Sequence, residues 1–583
     1  MLQLRRWTTA WTTARCVILF CAAMTATGAA QTLTTLAAFN ESDGVNPGSP
    51  LVQGRDGNFY GETDSGGSGC FQNGCGTVFK VTPGGSLTVL HYFNGQSDGS
   101  SPRGGLILGT DGNFYGTTIQ GGKYDNGTLF KVTPGGNLTT IYNFSNQGED
   151  GYGPGSGVIQ GSDGAFYGTT FDGGANECND MNCGTVFKVT SDGKLTTLHS
   201  FNFTDGANPL GGLMQGKDGA FYGTTLYGGD LNCYIAPEQM GCGVVFRIDV
   251  RGKVTILHRF ELNDGADPAA RLVQGNDGGF YGITQFGGNL DCDYPFGCGT
   301  VFKITPSGKL TTIHHFDGAI DGGFPIGQLI QATDGNLYGA TEWSVGNLCG
   351  AHDICGSLFR VAPNRFLTTI YSFCVREGCS DGNWPQGSLI QATNGLLYGT
   401  TLEGGDPTCA PGYGCGTVFT LDLGLDPFVA FVRGYGKVGQ TGGILGQGFT
   451  GTTDVSLSGS PVSFTVVSDT FLKALVPNGA TSGPVTVTTP GGLLTSNKIF
   501  RVTPQLLSFD PPSGPVGTQV TITGVSLTQT QGVGFGNRVP AQFSVNSDAQ
   551  VTATVPQGAK TGKVGIETKG GIAISSATFT VTQ

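Results

Sequence analysis

The sequence predicts an all-β protein in two parts, a seven-bladed β-propeller followed by two β-sandwiches. Three observations lead there. The motif Asp/Asn-Gly-x-Phe/Leu-Tyr-Gly recurs seven times, with its tyrosine at Tyr60, Tyr115, Tyr167, Tyr222, Tyr281, Tyr338 and Tyr398. The spacing of 52 to 60 residues is that of propeller blades or stacked arrays. Beyond about Pro427 the vocabulary changes to cysteine-free alternating strands with frequent turns, the pattern of a sandwich.

The first element is a targeting segment. Arg5, Arg6 and Arg15 precede an apolar run from Cys16 to Ala26, and Thr27-Gly28-Ala29-Ala30-Gln31 supplies small residues for cleavage. Residues 1–30 are read as a signal peptide and the mature chain as starting near Gln31, a retained anchor being the alternative. The run is too short to span a bilayer as a stable helix. Its removal takes three arginines and no acids, so a formal charge of −12 becomes −15. That balance disfavours nucleic acid and anionic membranes as partners. No later run is long enough to cross a membrane, and the C-terminal "SSATFTVTQ" carries no readable sorting tail. The sequence holds no signal of oligomeric state.

The propeller is assigned to residues 31–425. Each repeat holds four short β-like runs, for instance "GGLIL", "NFYGTT", "GTLFKVT" and "NLTTIYNF". Four strands per repeat make a blade. The mature chain opens on an unpartnered fourth strand, "LTTLAAF", while the last repeat stops after its third, "GTVFTLDLG". The first strand therefore completes the last blade and closes a ring without exposed edges. Glycine, 102 of 583 residues, is read as turns, because 38% hydrophobic and 10% aromatic residues suffice for cores.

In the usual inner-to-outer strand order, one face carries only short, uniform turns such as "QGRDGN" and "TPGGS". The other carries the loops between second and third strands and the blade-to-blade crossovers. Function tends to gather on variable loops held by a rigid scaffold, so this is the display face.

Cysteine follows loop length on that face. From the repeat tyrosine to the glycine opening the third strand is 12 residues in the second copy (Tyr115 to Gly127) but 16 to 21 in the others. Each of the six longer loops carries a pair: Cys70/Cys75, Cys178/Cys183, Cys233/Cys242, Cys292/Cys298, Cys349/Cys355 and Cys409/Cys415, with a seventh, Cys374/Cys379, in a crossover. In an exported chain such local pairs are read as disulfides that stiffen display loops. Zinc is the rival reading, but the pairs lie on different blades and lack matched histidines.

A second sevenfold element is Asp-Gly-x-x-Pro in the crossovers, at Asp43, Asp98, Asp150, Asp205, Asp264, Asp321 and Asp381. It reads as a turn: aspartate caps it, glycine takes positive φ and proline fixes the start of the next strand. Calcium is the alternative, and the only cofactor implied, although a hard cation wants several oxygens converging on one point. No other metal or cofactor is expected.

Outside the leader, tryptophan occurs only at Trp343 and Trp384, placed on neighbouring blades of the display face with His352 and Tyr413 in adjacent loops. Exposed rings with a few polar groups suit a sugar or peptide surface. These residues and Asp381 are the candidate ligand-binding set, with packing of their own loops as the other reading of the tryptophans. No catalytic residues are singled out. His91, His199, His258, His314 and His315 lie in repeated fourth strands and read as scaffold, and no Gly-x-Ser-x-Gly, His-Glu-x-x-His or phosphate-binding loop occurs. Paired carboxylates for glycoside cleavage stay open.

The core "DGNFYGTT…GG…GTVFKVTPGG.LTTL" closely resembles the GloVer tandem repeat of choice-of-anchor exported bacterial proteins, over about residues 33–422. The resemblance implies export and a surface or extracellular life, and brings no agreed activity. The doublets Gly66-Gly67, Gly121-Gly122 and Gly404-Gly405 are weakly similar to kelch repeats, whose paired Tyr and Trp are absent. In the C-terminal part, "VPNGATSGPVTVTTPGG" at Val476 and "VPQGAKTGKVGIETKGG" at Val555 recur. This resembles two immunoglobulin-like domains of the IPT/TIG type, 426–503 and 504–583, which more often position a neighbour than catalyse. The functional expectation is a secreted or cell-surface non-enzymatic binding or adhesion protein whose display face holds an extracellular polysaccharide or surface protein. A carbohydrate-active hydrolase or lyase and a structural envelope component are the alternatives.

Overall fold

The computed structural model describes residues 31–583 except 71–73, 146–149, 179–180, 235–240, 294, 319–320, 344–354, 364, 410–412 and 537–538. The leader, His352 and Cys349 lie outside the described residues. Among those described, the regular structure is strand throughout apart from one 3-10 turn at Glu377–Cys379.

The repeats form seven four-stranded antiparallel sheets. The first consists of Val52–Gln53, Phe59–Thr63, Thr77–Val81 and Leu87–Tyr92. The last takes Gly387–Gln391, Leu397–Thr401 and Thr417–Asp422 from one end of the array and Thr32–Ala38 from the other. Thr32 pairs with Asp422 and Ala38 with Thr417, so the N-terminal strand is the clasp that the ends of the array imply.

The second strand explains the recurring motif. Successive residues of a strand point to opposite faces, so Phe and Tyr of Phe-Tyr-Gly reach the two neighbouring sheets. Phe114 stacks on Tyr60, Phe221 on Tyr167, and Phe59 on Tyr398, the last contact joining the first sheet to the seventh at 4.0 Å between ring centroids. A second circle of edge-to-face contacts links each fourth strand to the next sheet's third strand, from Phe39–Phe79 through Phe93–Phe130, Phe144–Phe187, Phe201–Phe246, Phe260–Phe302 and Phe316–Phe359 to Phe373–Phe419. The motif glycine makes room for it: a Cβ on Gly61 would lie 2.5 Å from the Phe79 ring, and one on Gly399 the same distance from Phe419. Such rings are favoured edge to face beyond their buried area.

The motif's polar residues close each turn. The hydroxyls of Tyr60, Tyr115, Tyr167, Tyr222, Tyr281 and Tyr338 donate to the carboxylates of Asp56, Asp111, Asp163, Asp218, Asp277 and Asp334 at 2.7 to 3.1 Å, and Asn394 donates to Tyr398 in the seventh.

Two sandwiches follow with the same strand plan. In the first, one sheet runs Ala430–Phe431, Thr441–Leu445, Phe471–Leu475, Phe464–Ser468, and the other Ser460–Pro461, Asp454–Leu457, Val485–Thr489, Gly492–Thr495. The second repeats this order from Gln505–Asp510 onward, and each has a short parallel pair, Tyr435–Gly436 with Arg501–Val502 in the first and Ser513–Gly514 beside Gly571–Val581 in the second. Each closes its own apolar core, around Phe449, Leu472 and Val487 in one and Ile522, Phe535 and Phe579 in the other.

The first sandwich sits against the propeller's plain face. The Thr470 hydroxyl donates to the Arg55 carbonyl at 2.7 Å, Gln447 donates to the Thr393 hydroxyl at 2.9 Å, and the Phe428 N–H donates to the Thr393 carbonyl at 3.0 Å. Arg55 and Thr393 belong to the short turns between first and second strands, so those turns serve as a docking floor. The display face is on the opposite side.

Candidate functional site

The display face is assembled from crossovers and loops that hold one another. In each Asp-Gly-x-x-Pro crossover the residue before proline has a left-handed backbone: Asn46, Ser101, Gly153, Asn208, Asp267, Phe324 and Trp384, with φ between 53° and 62°. Its N–H donates to the carbonyl of the residue before the third-strand glycine of the preceding sheet, at 2.8 to 3.2 Å. Those acceptors are Cys415, Cys75, Asn126, Cys183, Cys242, Cys298 and Cys355 in the same order. The second cysteine of each long loop is thus pinned by the crossover into the next sheet.

Disulfides join Cys70–Cys75, Cys178–Cys183, Cys233–Cys242, Cys292–Cys298, Cys374–Cys379 and Cys409–Cys415. Cys355 is buried, and Cys349 is outside the described residues. The short loop of the second sheet closes without sulfur. Asp125, itself at φ 58°, accepts the Gly121 N–H at 3.1 Å, and Asn126 supplies the pinned carbonyl.

The sevenfold aspartates are engaged inside their own crossovers. His91 and Asp98 are 2.8 Å apart while the Asn94 N–H donates to the other carboxylate oxygen at 2.9 Å. The same bridge joins His199 to Asp205, His258 to Asp264 and His314 to Asp321, and Tyr142 and Tyr371 donate instead to Asp150 and Asp381. Asp43 accepts from Asn40. A β-bulge recurs in the fourth strands, as between Val78 and Phe79 in the pairing of Leu87–Tyr92, and a bulge is a standard way to re-aim a side chain. Four of the five scaffold histidines therefore have a definite task, and the carboxylates are spread round the ring rather than converging on an ion. Among the described residues no group of three or more His, Cys, Asp or Glu is placed to hold a metal.

Two members of the candidate binding set are corrected by their surroundings. Asp381 is fully buried, with one carboxylate oxygen accepting from the Tyr371 hydroxyl at 2.7 Å, so it has no open face for a ligand. Trp384 is half-buried, its indole Nε1 shielded from solvent, because its left-handed backbone and Pro385 turn the residue into the crossover. Trp343 ends the strand Leu337–Trp343 and stays 36% exposed, one edge packed on Phe324 at 4.5 Å. Tyr413 is 62% exposed.

Sequence reasoning passed over two further exposed rings on the same loops, Tyr124 and Tyr234. It also passed over the acids. Burial pushes Asp267 up to about 7 and leaves its Oδ1 without a partner, and Tyr227 nearby feels its charge. Asp172, 3.4 Å from Asn208 Nδ2, is raised by burial to about 6, and burial also raises Glu342 against the opposing effect of Gln285. Below the face, Glu62 occupies the second-strand position where other sheets hold Thr117, Thr169, Thr224, Ile283, Ala340 and Thr400. It accepts the Gly105 N–H at 3.0 Å, its Oε1 has no partner, and burial raises it to about 8.

Fold and face together define a propeller of four-stranded blades that presents disulfide-tied loops and is backed by sandwich modules. The chain belongs to the Gloeobacter/Verrucomicrobia repeat family, which matches residues 68–234 and 233–460, and residues 504–582 match the IPT/TIG domain. No curated protein matches it. Among solved structures it is similar to a fungal alcohol oxidase of the AA5 family in complex with copper, at 13% identity and a TM-score of 0.44 over 81% of this chain and 98% of that one. A putative gluconolactonase aligns at 9% identity and 0.34 over 68% and 94%, and a surface glycan-binding protein from Prevotella bryantii at 16% and 0.21 over 25% and 37%. At these scores they assign nothing to this chain.

Proposed function

We propose that this is a secreted or cell-surface binding protein whose display face holds an extracellular polysaccharide. The observation that carries the reading is the set of exposed rings on tied loops: Tyr124, Tyr234, Trp343 and Tyr413 stand on the second, fourth, sixth and seventh sheets. Aromatic side chains give large contact area at little entropic cost, and fixing the loops beforehand reduces the ordering that binding must otherwise impose. The disulfides suit an oxidising compartment. Among the described residues no helix is long and apolar enough to cross a membrane. The first sandwich, docked on the far face, leaves the binding face outward.

The test is retention of the chain on a panel of insoluble and soluble polysaccharides, with new reducing ends recorded in the same tubes. Retention without cleavage, weakened by Tyr413→Ala, supports the reading; retention on none of them, with a protein ligand captured instead, replaces polysaccharide by a surface protein.

A second reading, a carbohydrate-active hydrolase or lyase, is favoured by Asp267, a carboxyl that carries its proton near neutrality. A general acid needs that property. Cleavage abolished by Asp267→Asn would establish it.

A further inference from the structure

The plain face and the first sandwich enclose a cavity of 320 Å³ lined by Arg55, Asp111, Arg433, Tyr435, Phe471 and Lys473 among others. Its polar edge is basic, which is unexpected in a chain of net charge −12. The Arg55 guanidinium lies 4.7 Å over the Phe471 ring, and Arg433 and Arg501 lie 4.5 and 5.3 Å over the ring of Tyr435. Guanidinium N–H bonds lie in the guanidinium plane, so a ring beneath it leaves the donors at its edge free to take an oxyanion. Nε of Arg55 and Nε of Arg433 are both buried and unpartnered.

Arg55, Arg433, Lys473 and Arg501 make no ion pair among the described residues. Asp111 is the nearest acid on the lining, and it is already committed: its carboxylate accepts from the Tyr115 hydroxyl, the Asn113 side chain and the Asn113 N–H. One Arg55 nitrogen donates to the Thr110 carbonyl at 2.8 Å, which fixes the side chain without neutralising it. Buried donors of this kind are costly when unmade, and like charges gathered round a cavity repel one another.

We infer that this cavity is an oxyanion-binding site, distinct from the display face, that takes a ligand bearing a carboxylate, sulfate or phosphate group. Arg433 and Arg55 supply edge-on donors, and Lys473 a point charge at the more open side. At 320 Å³ the site is at the small end of ligand pockets, suited to one sugar acid or an inorganic anion rather than a chain.

The test is titration calorimetry of the full chain with glucuronate, glucose, inorganic sulfate and inorganic phosphate at low and high salt. Binding of glucuronate or of an inorganic anion but not glucose is expected, weakened at high salt, and which anion binds distinguishes a sugar-borne from a free oxyanion. Arg433→Ala should weaken it about 10- to 100-fold, the range for a charge-assisted hydrogen bond left unmade. Lys473 is exposed, so Lys473→Gln leaves the fold intact and should weaken binding by about threefold to tenfold. Absence of binding by every anion, or binding that neither variant changes, would overturn the inference.

Discussion

Asp98 uses both carboxylate oxygens within its own crossover, one against His91 Nε2 at 2.8 Å and the other on the Asn94 N–H at 2.9 Å. The crossover is therefore braced by the strand that leads into it. Asp98→Ala should destabilise the protein by about 1–3 kcal/mol, the cost of leaving buried partners unmade. His199→Tyr should be nearly neutral, because Tyr142 and Tyr371 already make the same bridge in other sheets. Chemical denaturation of both variants checks the pair, and a calcium-dependent rise in wild-type stability would contradict the bracing role.

The clasp should be indispensable. Phe39 is fully buried and packs on Phe79 at 4.9 Å, so Phe39→Ala should cost about 3–5 kcal/mol, read as a lowered denaturation midpoint. Deleting residues 31–39 should do more, leaving the strand Thr417–Asp422 as an open edge and shifting the protein to aggregate on size-exclusion chromatography.

Glu62 should make stability depend on pH. Its folded pKa, about 8, lies above its ordinary value of 4.5, so the folded state holds a proton that the unfolded state releases across that interval. Stability from this group is complete below about pH 4.5 and is lost as pH rises to about 8, at up to about 1.4 kcal/mol per pH unit. Glu62→Thr, the residue four other sheets carry there, should flatten that slope when thermal melting is followed from pH 5 to 9.

The disulfides should matter more to the loops than to the ring. Cys233→Ser with Cys242→Ser releases the longest staple, a separation of 9 residues, worth about 2–3 kcal/mol in a chain-entropy account. Its clearer signature should be proteolysis confined to the loop between Tyr227 and Gly243, with the sheets intact. Cleavage spreading through neighbouring repeats would give the disulfide a global role instead.

The exposed rings should separate binding from folding. Tyr413→Ala should weaken polysaccharide retention about tenfold with unchanged melting, and Trp343→Ala should weaken it as much while lowering stability slightly through its lost contact with Phe324; Trp384→Ala, half-buried, should lower stability by about 2–4 kcal/mol. Affinity electrophoresis beside thermal melting tells the two effects apart.

What recurred in the sequence was legible. The Phe-Tyr-Gly motif, the unmatched strands at the two ends of the array and the cysteine pairs each announce themselves by period or by spacing. The bridge from His91 to Asp98 was harder to read, since its counterparts span 6 residues in His199–Asp205 and 10 in Tyr371–Asp381, and a varying gap hides a constant contact. Burial of Asp381 and Trp384 depends on a left-handed backbone that residue type does not announce. The rings Tyr124 and Tyr234 sit in loops without a period, and the cavity beneath the propeller joins Arg55 to residues beyond 430, a contact that no local pattern encodes.

The clasp also sets an order of events. Each cysteine pair spans a short stretch and can oxidise as soon as its own loop emerges, and each sheet from the first to the sixth can zip from contiguous chain. Thr32 must wait for Asp422. Until that partner is made, the first strand to be synthesised is an unpaired edge, and the circle of aromatic contacts is broken at one point. The propeller therefore has a checkpoint at its seam: local structure accumulates along the chain, but the ring locks only once nearly four hundred residues are present, and a prematurely ended polypeptide never reaches it.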